Sequence, residues 1–192
     1  NTGDNVVTNL SEGLGNATGG FTKQGAGKWI IRGTGTFPAA STLNINAGTL
    51  AVQVADAFGA ATTATVTNTG VLRFDGVTLN QVSLNLRNGG TLQANGTVSV
   101  NGVVVGNQAA NSCTLSTLNA TDVFTVGTGL GAASLVSGGV ADTVLNTAGP
   151  GTLVFSQGNT YAGKWSFNAK SNQLVNFNAL GTGANANVGA GA

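Results

Sequence analysis

Large apolar residues return along this chain about once every twenty positions, at Trp29, Leu50, Leu72, Leu92, Leu115, Leu135, Leu153 and Leu174, with gaps of 21, 22, 20, 23, 20, 18 and 21 residues. Two positions before them stand Gly27, Gly48, Gly70, Gly90, Cys113, Ala133, Gly151 and Asn172, all but the last small. Four positions before them stand Gly25, Asn46, Asn68, Asn88, Asn111, Gly131, Gly149 and Lys170, seven of the eight being Gly or Asn. Gly and Asn accept positive φ more readily than other residues. The pattern predicts a sharp turn through the left-handed region, then a strand whose first large side chain points inward. Ile31, Val52, Phe74 and Ala94, two positions past the first four landmarks, continue the period-two alternation of a strand with one buried face. Thr117, Ser137, Phe155 and Asn176 follow the later landmarks less regularly.

A repeat of this length is one coil of a solenoid. The expectation is an all-β chain of about eight coils of ~20 residues, each with two or three short strands paired in parallel with the coils above and below. Eight coils at ~4.8 Å each make a rod of ~40 Å. Residues 1–21 carry no landmark and read as an N-terminal cap or extension, with 22–192 as a single β-solenoid domain. Asn46, Asn68, Asn88 and Asn111 fall in one column on consecutive coils, where stacked amides would form a structural ladder along the axis.

Composition narrows the function. The chain has 31 Gly, no Met, no His and only 7% charged residues, yet 41% are apolar, in strand-length runs that argue against disorder. No stretch approaches the ~20 apolar residues of a membrane span. A net charge of +1, with the basic residues dispersed, gives no nucleic-acid footprint. The single cysteine, Cys113, excludes an internal disulfide framework and sits in the small-residue column, where a buried, inert thiol is expected; an intermolecular link is the alternative. The absence of an initial Met reads as a processed chain or an excised fragment.

A longer repeat is also visible. Thr22 to Ile31 (TKQGAGKWII) matches Asn146 to Phe155 (NTAGPGTLVF) at an offset of 124, and Asp56-Ala57-Phe58-Gly59 corresponds to Asn178-Ala179-Leu180-Gly181. Gly149-Pro150-Gly151-Thr152-Leu153-Val154-Phe155, followed by Asn159-Thr160-Tyr161-Ala162-Gly163, resembles the autotransporter-associated β-strand repeat of bacterial passenger domains. So does Asn46-Ala47-Gly48-Thr49-Leu50. The resemblance covers about 22–59 and 146–181, and the second copy departs from it at Lys170-Ser171-Asn172-Gln173. It implies a right-handed parallel β-helix, secreted and displayed at a bacterial surface, and it accounts for the scarcity of cysteine. The repeat is scaffold, so it assigns no functional residue, and no translocator barrel accompanies it here.

Chemistry is sparse. Without His, the usual nucleophile–base triads and most zinc sites are absent. Asp122 and Asp142, 20 residues apart and each seven past a landmark, would stack ~5 Å apart and form a weak cation site, or else splay apart in solvated turns. Arg73 and Asp75, one coil from Arg87, are the nearest approach to the acid–base cluster of a β-helix polysaccharide lyase or hydrolase; a surface ion pair is the plainer account. Tyr161 and Trp165 would either stack on a sugar or cover an apolar edge. Sequons at Asn9, Asn16, Asn95 and Asn119 are expected by chance in an Asn- and Thr-rich chain.

The end of the chain invites one more expectation. Val188-Gly189-Ala190-Gly191-Ala192 matches Val66-Thr67-Asn68-Thr69-Gly70, which places the last residues in mid-coil as an assembly end. The functional expectation is a non-enzymatic extracellular rod at a bacterial cell surface: a stalk, an adhesive scaffold or a self-assembling fibre subunit. It would need no cofactor, and its partners would be copies of itself or the rest of a longer solenoid, with surface glycans as a further possibility. A carbohydrate-active β-helix or a glycan-binding adhesin is the alternative.

Overall fold

A computed structural model describes residues 5–7, 20–35, 37–39, 41–59, 63–79, 83–107, 112–128, 136–175, 179–181 and 186–188. These form eighteen strands and no helix, every strand pair being parallel. The strands are β1 (Asn5–Val7), β2 (Phe21–Lys23), β3 (Lys28–Ile31), β4 (Thr42–Val52), β5 (Thr63–Asp75), β6 (Thr78–Leu79), β7 (Ser83–Leu86), β8 (Thr91–Asn95) and β9 (Thr97–Val100). They continue with β10 (Val103–Val105), β11 (Ser112–Thr117), β12 (Val123–Val126), β13 (Val136–Gly138), β14 (Val144–Ala148), β15 (Thr152–Phe155), β16 (Lys164–Phe167), β17 (Ser171–Leu174) and β18 (Ala186–Val188).

Three faces wind round one core. The first stacks β2, the start of β4, the start of β5, β7, β10 and β13. The second stacks β1, β3, the ends of β4 and β5, then β8, β11, β14, β16 and β18. The third stacks β6, β9, β12, β15 and β17. β4 and β5 serve two faces because each runs through a corner, and their pairing shifts register between Ile45 and Ala47.

The chain is therefore a β-solenoid, with about six turns against the expected eight. The landmarks do not all stay in one column. Trp29, Leu50, Leu72, Leu92 and Leu115 do form one inward column on the second face. The column then continues through Thr147 and Phe167 to Val188, because one coil takes 32 residues between Leu115 and Thr147. Leu153 belongs to the third face, in register with Phe124, and Leu174 to the same face opposite Phe155. Leu135 lies outside the described residues.

Burial follows the strand alternation. β9, β12 and β15 each bury every second residue, and Leu43, Ile45, Leu50, Leu72, Leu86, Leu92 and Leu115 are fully enclosed. Each such leucine contributes ~2–3 kcal/mol of apolar transfer, but no coil obtains it alone, since the covering surface belongs to the coils above and below. The corners demand small residues. A Cβ on Gly48 would stand 2.4 Å from the Gly25 carbonyl oxygen and 2.5 Å from that of Gly27, so the first coils pack backbone on backbone there.

Candidate functional site

The densest side-chain chemistry lies at the corner that follows the second face, as a polar column along the solenoid axis. The Arg32 Nε donates to Gln53 Oε1 at 3.0 Å, and Gln53 Nε2 donates to Asp75 Oδ2 at 3.0 Å. From the other direction Asn119 Nδ2 donates to Asn95 Oδ1 at 2.9 Å, and Asn95 Nδ2 to Asp75 Oδ1 at 3.0 Å. Arg73, on the same strand as Asp75, closes a two-point pair from Nε to Oδ1 at 2.7 Å and from Nη2 to Oδ2 at 3.0 Å.

From Arg32 on one side and Asn119 on the other, these side-chain bonds all point toward Asp75. An ionised carboxylate only accepts, so Gln53 and Asn95 must present their NH₂ groups to it, leaving their oxygens for Arg32 and Asn119. Asp75 thus receives four N–H donors, one for each in-plane lone pair. Burial by itself would raise its pKa; the hydrogen bonds from Arg73, Gln53 and Asn95 and the Arg73 charge outweigh that and hold the carboxyl below its ordinary value. Its side chain is 10% exposed and that of Arg73 14%, so this is a largely enclosed rung and not the surface ion pair expected. Arg87 is remote from it: it opens the exposed turn between the first and second faces.

The column is continued by Asp122, which is buried. Its Oδ1 accepts the Gly96 N–H at 2.8 Å, and its Oδ2 accepts the N–H groups of Leu118 at 3.0 Å and Asn119 at 2.6 Å. The carboxylate so closes the turn ahead of β12 and ties it to the coil before. Asp142 does not stack on it. It sits at the corner before the second face, exposed, and pairs with Lys164 at 3.2 Å. Of the two arrangements open to this pair, the stacked cation site is not formed, because the phase change after Leu115 puts the two residues at different corners. Among the described residues no three His, Cys, Asp or Glu side chains gather closely enough to hold a metal ion.

Tyr161 and Trp165 stack on no sugar, since both are fully buried. The Tyr161 hydroxyl donates to the Thr143 carbonyl at 2.9 Å, and the Trp165 Nε1–H to the Leu180 carbonyl at 2.8 Å. Trp165 meets the Phe155, Tyr161 and Phe167 rings at 5.0, 5.3 and 5.6 Å. Burial, with Cys113 nearby, raises the Tyr161 pKa far above its usual value. Cys113 is itself enclosed, in register with Leu145 and through it with Trp165. The small-residue column thus widens into an aromatic one toward the C-terminal coils.

The Asn column divides. Asn68 and Asn88 are exposed and left-handed, with φ of 55° and 45°, occupying the place that Gly25 takes at 78°. Asn46 does not share the conformation; β4 is one residue shorter through this corner, and Gly48 takes the positive φ of 66° instead. Asn111 and Gly189 to Ala192 lie outside the described residues. Val188 is opposite Phe167 in the landmark column, so it is not the counterpart of Val66, which faces the core from the first face.

Two features escaped the sequence reading. The polar column had a signal, for Arg32, Gln53, Asp75 and Asn95 each stand three past a landmark. Lys23 had none. It replaces an aliphatic residue in the column of Ile45, Val66 and Leu86, is almost wholly buried, and reaches the carbonyl oxygens of Gln24, Gly25 and Ala47 at 3.1, 2.7 and 3.0 Å. Burial lowers its pKa.

Two segments, residues 21–52 and 145–169, match the family model of the passenger-associated-transport-repeat. No curated protein matches the chain, and no solved structure does. The first segment holds β2 to β4 and the second β14 to β16. With the parallel solenoid, these matches fit an autotransporter passenger-type repeat protein.

Proposed function

We propose that this protein is a non-enzymatic structural element of a secreted, passenger-type β-solenoid, displayed at a bacterial cell surface as a stiff stalk or adhesive scaffold. The observation that carries the reading is the column from Arg32 to Asp122. Its charged and amide groups are engaged with one another and with backbone across successive coils, which suits cohesion along an axis and leaves the Asp75 carboxylate no in-plane lone pair free for a substrate. The repeat matches support surface display.

The same observation argues against the carbohydrate-active alternative, since its candidate residues Arg73, Asp75, Tyr161 and Trp165 are all occupied or enclosed. The test is a display experiment. The chain fused to a translocator barrel should reach the surface of a Gram-negative cell as a protease-resistant unit, and the purified protein should leave a panel of acidic and neutral polysaccharides uncut. A protein that stays in the periplasm, or that cleaves a glycan and loses the activity in Asp75→Ala, would refute the proposal.

A further inference from the structure

An Asn followed by Gly is the side-chain amide most prone to cyclise in water, since glycine puts no side chain in the way of its own nitrogen. The chain has three such pairs, Asn88-Gly89, Asn95-Gly96 and Asn101-Gly102. The second lies in the polar column, where Asn95 ends β8 and Gly96 makes the turn after it. Both residues are half-buried. Water therefore reaches them, and burial is not what sets their reactivity.

Cyclisation makes two demands. The Gly96 nitrogen must give up its proton and attack Asn95 Cγ, and the side-chain amide must turn its carbon toward that nitrogen. Neither demand is met. The Gly96 N–H donates to Asp122 Oδ1 at 2.8 Å, and an anion there opposes loss of the proton. The Gly96 carbonyl accepts the Val123 N–H at 3.1 Å, so both of its backbone polar groups are tied to the next coil. The Asn95 amide is drawn out along the axis: Nδ2 donates to Asp75 Oδ1 at 3.0 Å, and Oδ1 accepts from Asn119 Nδ2 at 2.9 Å. Turning it toward Gly96 breaks both bonds.

We infer that Asn95-Gly96 is a latent deamidation site, held closed by Asp75, Asn119 and Asp122 and opened when the coils separate. On opening, a bond forms from Gly96 N to Asn95 Cγ, the Cγ–Nδ2 bond breaks, and ammonia leaves with the Gly96 proton. Water then adds to one carbonyl of the succinimide and leaves aspartate or isoaspartate at position 95. Either product hinders return. A carboxylate has no N–H to give Asp75 and faces it with like charge. Isoaspartate also adds a carbon to the main chain where Asn95 stands in register with Asp75. A passing separation of coils thus becomes a lasting one. The inference rests on the polar column and is independent of surface display.

The experiment keeps the whole chain in warm, mildly alkaline buffer and follows each Asn-Gly pair by peptide mapping that separates aspartate from isoaspartate. In denaturing urea all three pairs should convert at rates within a few-fold of one another. In the folded protein Asn95 should convert at least tenfold more slowly than in the unfolded chain. Asp122→Ala, where its circular dichroism matches the parent, should speed conversion at Asn95 at least tenfold and leave Asn101 unchanged. Where that variant does not fold, the parent in sub-denaturing urea answers the same question, and conversion at Asn95 should rise with the unfolded fraction. Asn95→Asp, one product of the reaction, should unfold at a lower urea concentration than the parent. Equal rates at Asn95 in folded and unfolded chain, the parent rate in folded Asp122→Ala, a rate indifferent to the unfolded fraction, or an Asn95→Asp as stable as the parent would each overturn the inference.

Discussion

Two corners of this solenoid are built from similar residues to opposite ends. At the corner between the first and second faces, Asn68 and Asn88 point outward and contribute a backbone conformation, φ near 50°. At the corner after the second face, Gln53, Asn95 and Asn119 are drawn into a chain of hydrogen bonds that converges on Asp75 and runs on to Asp122. The first corner gives the chain its bend, and the second ties one coil to the next. At the first corner the backbone requirement is the left-handed region. A residue in the second is held by its partners on other coils.

The sharpest test of this difference is Asp122→Ala. It takes the buried acceptor from the Gly96 and Asn119 N–H groups, leaves the Leu118 N–H with the Ala94 carbonyl alone, and should destabilise the fold by about 3–4 kcal/mol in urea unfolding followed by circular dichroism. A loss below about 1 kcal/mol would mean that water replaces the carboxylate there. Next come two glycines at the bending corner. Gly48→Ala meets carbonyl oxygens at 2.4 and 2.5 Å besides its positive φ, and should cost about 3 kcal/mol or more. Gly25→Ala has nothing within 4 Å and should cost only about 1 kcal/mol, the left-handed penalty itself.

Asp75→Asn should follow, at about 2 kcal/mol, by turning an acceptor of four donors into a group that must also donate. Its pH dependence is the more telling measurement. The folded carboxyl titrates below its ordinary value, so the unfolded chain binds the proton first as the solution is acidified. The stabilisation is complete above the ordinary carboxylate pKa of about 3.9 and is lost as pH falls through the lower folded value. The parent protein should therefore lose stability in that window more steeply than Asp75→Asn; parallel acid curves would remove Asp75 from its central place. The smallest effects separate the Asn column. Asn68→Ala should cost about 1 kcal/mol for its positive φ, and Asn46→Ala less than about 0.5 kcal/mol because Asn46 is not left-handed.

Much of the architecture was legible in residue spacing. The left-handed turns at Gly25, Asn68, Asn88 and Gly149 and the inward leucines from Leu50 to Leu115 follow from requirements that a few adjacent residues meet among themselves. The site was less legible. Asp122 and Asp142 look equivalent in sequence, yet one is buried and holds the backbone of its turn and the other meets Lys164 at the surface. Tyr161 and Trp165 left sugar stacking and cover of an apolar edge both open, and they fill the core where Cys113 and Leu145 lead into it. The apparent equivalence of Asp122 and Asp142 came from counting residues through the long coil after Leu115 as though it were another ordinary one.

The repeated motif shows where the division falls. Gly25-Ala26-Gly27 and Gly149-Pro150-Gly151 are matching words, and both make a corner with a left-handed first glycine. The first joins β2 on the first face to β3 on the second; the other joins β14 on the second to β15 on the third. The sequence by itself determined that there would be parallel coils, a Leu-lined core and tight Gly or Asn corners, because turn conformation and strand alternation are local. Only the tertiary structure decided which corner each turn became and which polar residues met across coils. That depends on how many residues had already been wound and on which column of the core stood open to receive the next strand.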